Sequence, residues 1–380
     1  MENLLHGFRD VDTAEYLAKE ERRASARRRK NAIKASSRCH LALMAYIIIS
    51  STVIGAVQYA IMFLFDFDKA AELLTSPYIL LPLQVLGMYI VAFPLFALMT
   101  SGIPSRKYKD GSKMTLGEFV VIFMISQAIM VAGNLISGYL TELIEGTTNT
   151  PIDDFTSQLI MASPTWLIVL VVVILGPIVE ELIFRKIFID KLSIYGDRLA
   201  IVISSISFGL IHGNLYQLFY ATAVGLLLGY VYTKTRKIKY SCLLHILINF
   251  MGSVPSKLLM PGVLRLDELS QMYPDGDIPV TEVYEMMSFI LGVISYTFVQ
   301  YGLAIAGFVL FIVLTVKRAY KVPNTCDYRL PAKAIPRVAF FNLGIIIFFL
   351  WSALEILLTI FPDAPIMLVN AINAAMQSAS

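Results

Sequence analysis

Three short stretches place charged and polar side chains inside apolar sequence. "EELIFR" supplies Glu180, Glu181 and Arg185, "FGLIH" supplies Phe208 and His212, and "HILIN" supplies His245 and Asn249. A carboxylate and one imidazole can hold and deprotonate a water, while a second imidazole and an amide N–H can stabilise an oxyanion. That set suits hydrolysis of a peptide carbonyl with no nucleophilic Ser or Cys. A charge at a membrane centre costs about 2.5–3.5 kcal/mol, so such residues normally face protein or water and mark function. Helix spacing sorts them further. Glu181 and Arg185 are four apart and can form an intrahelical ion pair. Glu180 points about 100° away from Glu181. It is therefore the less neutralised carboxylate and the candidate general base. His245 and Asn249, four apart, project together, and Phe208 can pack against the imidazole of His212.

Each piece has a plainer reading when taken alone. The acids with Arg185 can be an ion-pair lock between helices. His212 can be a satisfied core histidine, and His245 with Asn249 can glue membrane helices by hydrogen bonding. Their joint occurrence is what favours a site.

The elements that carry these residues are membrane spans. Apolar residues make up 57% of the 380-residue chain, charged residues 16%, and mean hydropathy is +0.69. Soluble domains sit near ~45–50% apolar and ~25% charged. The expected fold is all-α: a polytopic transmembrane helix bundle of about nine spans (eight to nine), at ~20 residues per span. The candidate spans are 41–64, 78–100, 119–140, 165–188, 199–214, 216–233, 241–256, 286–316 and 338–361. Of these, 241–256 is short enough to be re-entrant, and 286–316 can be tilted or broken near Gln300–Gly302. "VGLLLGY" sets Gly225 and Gly229 four apart, a pattern for close helix packing. No signal peptide is expected, because the first apolar run begins near Leu41, behind a long polar arm.

Loop charges set the topology. "ERRASARRRKNAIKASSR", "SGIPSRKYKDGSKM", "RKIFIDKLSIYGDR", "KTRKIK" and "KRAYKVPNTCDYRLPAKAIPR" are basic. They alternate with the acidic "DFDKAAELLTSP", "TELIEGTTNTPIDDFTSQ" and the 257–285 loop. Basic loops stay cytoplasmic, which predicts a cytoplasmic N-terminus. The chain then divides into a basic arm (1–40), N-terminal spans (41–118), a core bearing the polar motifs (119–256), an extracytoplasmic acidic loop (257–285), and C-terminal spans with a tail (286–380). From the helical rise, Glu180 lies ~12 Å, His245 and Asn249 ~9–15 Å, and His212 ~20 Å from the cytoplasmic side. They can meet in a cavity in the cytoplasmic half of the bilayer if 199–214 tilts or sinks at "HGN". Glu355 reads as an interfacial residue. Cys39, Cys242 and Cys326 form no pattern, and the terminal "QSAS" carries no CaaX cysteine.

In this order, EExxxR, FxxxH and HxxxN resemble the CPBP family of intramembrane glutamic endopeptidases. That family is also called Abi and includes the CaaX-processing protease Rce1. The resemblance covers roughly residues 120–255. It implies that Glu180 and His212 position and activate the water and that His245 and Asn249 form the oxyanion hole. Glu181, Arg185 and Phe208 would support the site. It also implies a metal-free mechanism with no cofactor. HExxH is lacking, although Glu180, His212 and His245 could supply three zinc ligands in principle. The expected function is intramembrane endopeptidase. The rival readings are a non-catalytic scaffold or bacteriocin-immunity protein on the same fold, and a proton-coupled transporter, for which no paired halves are visible. The expected partners are a peptide or protein substrate and the lipid bilayer, with no nucleic acid. The expected location is a bacterial plasma membrane.

Overall fold

A computed structural model describes residues 2–106, 111–152, 155–319, 326–328 and 330–362. Among them there is no strand. The helices are α1 (Glu2–Leu64), α2 (Phe67–Thr75), α3 (Pro77–Ser101), α4 (Leu116–Thr148), α5 (Phe155–Ala162), α6 (Thr165–Tyr195), α7 (Asp197–Leu210), α8 (Leu215–Thr235), α9 (Ile238–Met272), α10 (Val280–Val316), α11 (Ile335–Ala339) and α12 (Leu343–Ile360). Eight of these are long and apolar enough to cross a membrane. The central helices α6, α7 and α8 are flanked on one side by α1, α3 and α12 and on the other by α4, α9 and α10.

The all-α polytopic bundle expected from composition is what the chain forms, with eight long apolar helices among the described residues, within the eight to nine expected. The segment read as the span 199–214 is the exception. It is α7, 14 residues and about 21 Å long, too short to cross alone. Small residues draw it tightly onto α8: a Cβ on Gly225 would stand 3.1 Å from Ser205, and one on Gly229 3.0 Å from Ile201. The hairpin begins and ends on one side, since Arg236 just past α8 bonds Asp197 at the start of α7 (2.8 Å). The alternation of loop charge therefore survives the loss of a span.

Other boundaries move as well. The run 241–256 is the first half of α9, a continuous 35-residue helix, and is not re-entrant. Most of the 257–285 "loop" is thereby helical, leaving a connection at 273–279. α9 continues through Pro255, which cannot donate to Met251 O; the Tyr296 hydroxyl of α10 donates to that carbonyl instead (2.7 Å). α10 runs unbroken through Gln300–Gly302. The division at residue 40 falls inside α1, where Ala32, Ser36, Cys39 and His40 are all buried. The tail from residue 363 lies outside the described residues, as do parts of the loops 102–115, 149–164 and 317–334.

Loops that charge alone assigns to one side meet on one face. The Arg106 backbone N–H donates to Asp190 O (2.9 Å), and the Arg106 side chain pairs with Asp327 (3.0 Å). The Asp327 N–H donates to Ile194 O (3.0 Å), Ser112 Oγ to Lys234 O (3.2 Å), and Arg28 of α1 lies over the Tyr328 ring. The acidic connections gather at the opposite end, where Tyr216 bonds Ile152 O (3.1 Å) and Lys257 bonds Met161 O (2.7 Å).

Candidate active site

The motif residues are presented by α6, the α7–α8 turn and α9. α6 contains a π-helical stretch, Val169–Leu175, which closes with Gly176 N–H on Val171 O just before Pro177. Proline offers no N–H and crowds the preceding turn, so a widened turn there is the physical response. α3 repeats the pattern at Val85–Ala92 before Pro94, and this stretch carries Tyr89. The lack of a side chain at Gly176 lets the Tyr89 hydroxyl approach to 3.3 Å from the position a Cβ would take. Gly176–Glu181 then returns to α-helical geometry, so consecutive acids diverge. The Glu181 side chain is 0% exposed and that of Glu180 30% exposed.

Glu181 is shared between two cations or donors. One oxygen accepts from Arg185 Nε (3.1 Å) and the other faces His245 Nδ1 (3.1 Å). Arg185 is fully buried and also bonds Ser204 Oγ (3.2 Å), and its guanidinium lies over the Phe208 ring at 5.1 Å. Ser204 in turn donates to Phe184 O (2.7 Å), so the arginine is fixed by both α6 and α7. A carboxylate opposite Nδ1 places a proton on that nitrogen and orients the ring. His245 Nε2 consequently points at Glu180, 3.5 Å from Oε2. Both acids flank the His245 ring, and Glu180 is the one that faces the cavity.

His212 sits in the turn after α7. Its Nδ1 bonds Phe208 O (2.7 Å), which assigns the proton to Nδ1 and leaves the Nε2 lone pair as an acceptor. Phe208 stands edge-on to both imidazoles, with centroids 5.1 Å from His212 and 5.5 Å from His245. The "HGN" turn has a local cause. Gly213 adopts φ +63°, the left-handed region that ends helices, and the Asn214 side chain accepts from Gln217 N–H (2.8 Å) to cap α8. Asn249 donates to Val172 O (3.0 Å), which ties α9 to α6.

Glu180, Phe208, His212, His245 and Asn249 line one cavity of about 580 Å³. From these residues it extends away from the face where the basic loops meet. Glu180 is the lining residue of α6 closest to the basic face, and His245 is that of α9. The cavity extends the other way, past Asn134 and Gly138 of α4, to Thr156 and Ser157 of α5 and Gln217 of α8. Among the described residues, none lining it lies in the loops that meet on the basic face. Beneath the site, Phe184, Arg185, Phe188, Leu228, Val231 and Tyr232 are buried and close that side. Among the described residues, no group of three or more His, Cys, Asp or Glu is arranged to hold a metal ion.

Three supporting residues have no counterpart in the motifs. His40 of α1 is fully buried, accepts or donates at Ser207 Oγ (2.9 Å), and so braces the residue before Phe208. Its signal in the sequence is a histidine at the edge of an apolar span. Tyr89 lines the cavity one helical turn from Glu180 through Gly176. Glu355 of α12 is the third. It reads as interfacial in sequence, yet its Oε2 lies 2.6 Å from where a Cβ on Gly213 would stand. Gly213→Ala is therefore expected to cost about 1–3 kcal/mol through backbone strain, and more through Glu355, and to displace His212. A thermal melt of the purified variant checks the first effect, and its catalytic rate the second.

Comparison with known proteins follows the same segment. Residues 162–251 match the family model described as "Type II CAAX prenyl endopeptidase Rce1-like". This is the family first suggested by the three motifs. The chain is also 27% identical over 169 residues to a Bacillus subtilis (strain 168) protein named "Putative membrane peptidase YdiL". That match covers 42% of this chain and 66% of the relative, just under two thirds of its length. No solved structure matches.

Proposed function

We infer that this chain, similar over residues 162–251 to type II CAAX prenyl endopeptidases, is a membrane-embedded endopeptidase. In this reading it hydrolyses a peptide bond by direct attack of water, in a bacterial plasma membrane with the basic face cytoplasmic. The observation that carries the reading is the convergence of Glu180, His212, His245 and Asn249 on one cavity floor, backed by a buried Glu181–Arg185 pair.

The roles follow from donors and acceptors. Glu180 and the Nε2 lone pair of His212 both accept, so together they hold a water by its two protons and take one as the oxygen attacks. His245 holds its Nδ1 proton against Glu181, and a proton on Nε2 then gives a donor aimed into the cavity. Glu181 faces Nδ1 of that ring and pairs with Arg185, so the carboxylate is not buried alone. Asn249 uses one amide hydrogen on Val172 O and has a second for the oxyanion. The proton taken by Glu180 passes to the leaving amine as the C–N bond breaks.

Asn249→Ala is expected to lower cleavage by about 10²–10³-fold, the usual loss for one oxyanion donor. The test of the whole reading is cleavage of a quenched-fluorescence peptide panel by the purified full chain in lipid, with and without chelator. Cleavage that persists with chelator and falls in Asn249→Ala supports the glutamate mechanism. Cleavage abolished by chelator overturns it in favour of a metal.

A further inference from the structure

We propose that the substrate reaches Glu180 from the acidic face of the membrane, as a short peptide segment presented outside the cytoplasm. The word substrate rests on the endopeptidase reading; the route rests on the cavity alone.

Three independent features define the route. First, the catalytic candidates form a floor. On α6 the lining residues run from Val171 to Glu180 and stop, with the helix continuing to Tyr195 at the basic face. On α8 they end at Val224, well short of Thr235. On α9 they begin only at His245. Second, the volume between that floor and the basic face is filled. Phe184, Phe188 and Leu228 are buried, and Tyr232 is held by Asp190 Oδ1 at 2.8 Å. Third, the far end reaches residues in contact with the surroundings. Asn134 and Gly138 on α4 and Ser157 on α5 are exposed and line the same cavity. The roof helix α5 is held by Lys257, which donates to Met161 O.

Sidedness follows from charge. The arm on α1 and the connections around Arg106, 190–197 and 235–237 meet at the plugged end. The excess of Lys and Arg comes from the arm, the 102–115 stretch and Arg236 with Lys237, while 190–197 sets Lys191 against two aspartates. By the positive-inside rule that end is cytoplasmic, so the open end is not. The lining also indicates what enters. Between floor and mouth, Asn134, Ser137 and Gln217 stand among the apolar Met130, Ile160 and Val172. Amides and hydroxyls complement the backbone groups of a bound segment, and the apolar side chains among them complement its apolar parts. A volume of about 580 Å³ admits a short segment and not a folded domain.

The experiment is single-cysteine labelling of the full chain in right-side-out and inverted membrane vesicles, with a membrane-impermeant maleimide as the probe. The background carries Cys242→Ser and Cys326→Ser and keeps the buried Cys39. Asp275→Cys and Lys333→Cys report the acidic and basic faces. Asn134→Cys is expected to react in the vesicles that label Asp275→Cys and to lose all labelling in those that label Lys333→Cys. Thr156→Cys, nearer the mouth, gives the same readout if Asn134→Cys does not fold. Labelling from the Lys333→Cys side, or from neither side, overturns the route. Because the readout needs no cleavage, an inactive chain still reports its route, and a chain that cleaves peptides but labels from the basic side overturns the route alone.

Discussion

On the proposed mechanism, Glu180→Gln is expected to lower peptide cleavage by about 10²–10⁴-fold, the range for loss of a general base. The substitution keeps size and shape, so the packing of α6 is unchanged. It removes the acceptor that takes the water's proton and the negative charge 3.5 Å from His245 Nε2. Glu180 is partly exposed to the cavity, so a neutral amide there leaves nothing buried without compensation. Unchanged thermal unfolding beside lost cleavage is the expected pair of measurements. A Gln variant that cleaves at the wild-type rate removes Glu180 from the mechanism.

Arg185→Met has the opposite signature, a loss of stability before any question of rate. The guanidinium and the Glu181 carboxylate are both 0% exposed, and removing one partner of such a pair leaves a buried charge at a cost of about 3–5 kcal/mol. The methionine fills much of the space beside Phe208 and forms no bond to Ser204. Adding Glu181→Gln to Arg185→Met is expected to recover most of the stability, because the uncompensated charge is gone. It is not expected to recover cleavage, since His245 then lacks the carboxylate that fixes its Nδ1 proton. Thermal melts of the single and double variants in one detergent check the first claim, and cleavage assays the second. A double variant as unstable as Arg185→Met would show that the loss comes from packing alone.

Spacing alone reads the local pairings correctly. Glu181 meets Arg185 four residues on in the same helix, and Phe208 meets His212, four residues on in the turn that ends α7. The contacts between helices are less legible. Glu181 with His245, His40 with Ser207 and Glu355 with the Gly213 turn each join segments far apart in sequence. No periodicity encodes which face of α1 or α12 meets α7. Apolar runs find the spans but misjudge their ends. α9 carries Lys257, Arg265, Asp267 and Glu268 beyond its apolar half, and a hydropathy reading stops there. The helix continues because Arg265 pairs with Glu282 of α10 and Tyr296 covers the carbonyl freed by Pro255. The segment 199–214 errs in the other direction. It is apolar enough for a span, and the left-handed Gly213 turns it back early.

The buried layer from Phe184 to Tyr232 has an electrical consequence. On the proposed route the cavity is continuous with the acidic face, solvent would reach to the floor, and the low-dielectric part of the membrane would be thinned locally to the plug. A membrane potential falls mainly across the insulating part of its path, so most of the voltage drop lies between Glu180 and the basic face. Moving one elementary charge through the full drop is worth about 2.3 kcal/mol per 100 mV. Protons exchanging between Glu180 and the outer solution cross little of that field, so the chemistry of the site runs almost independently of the voltage that the cell maintains. The same layer acts as the insulator that keeps a deeply hydrated site from becoming a proton leak.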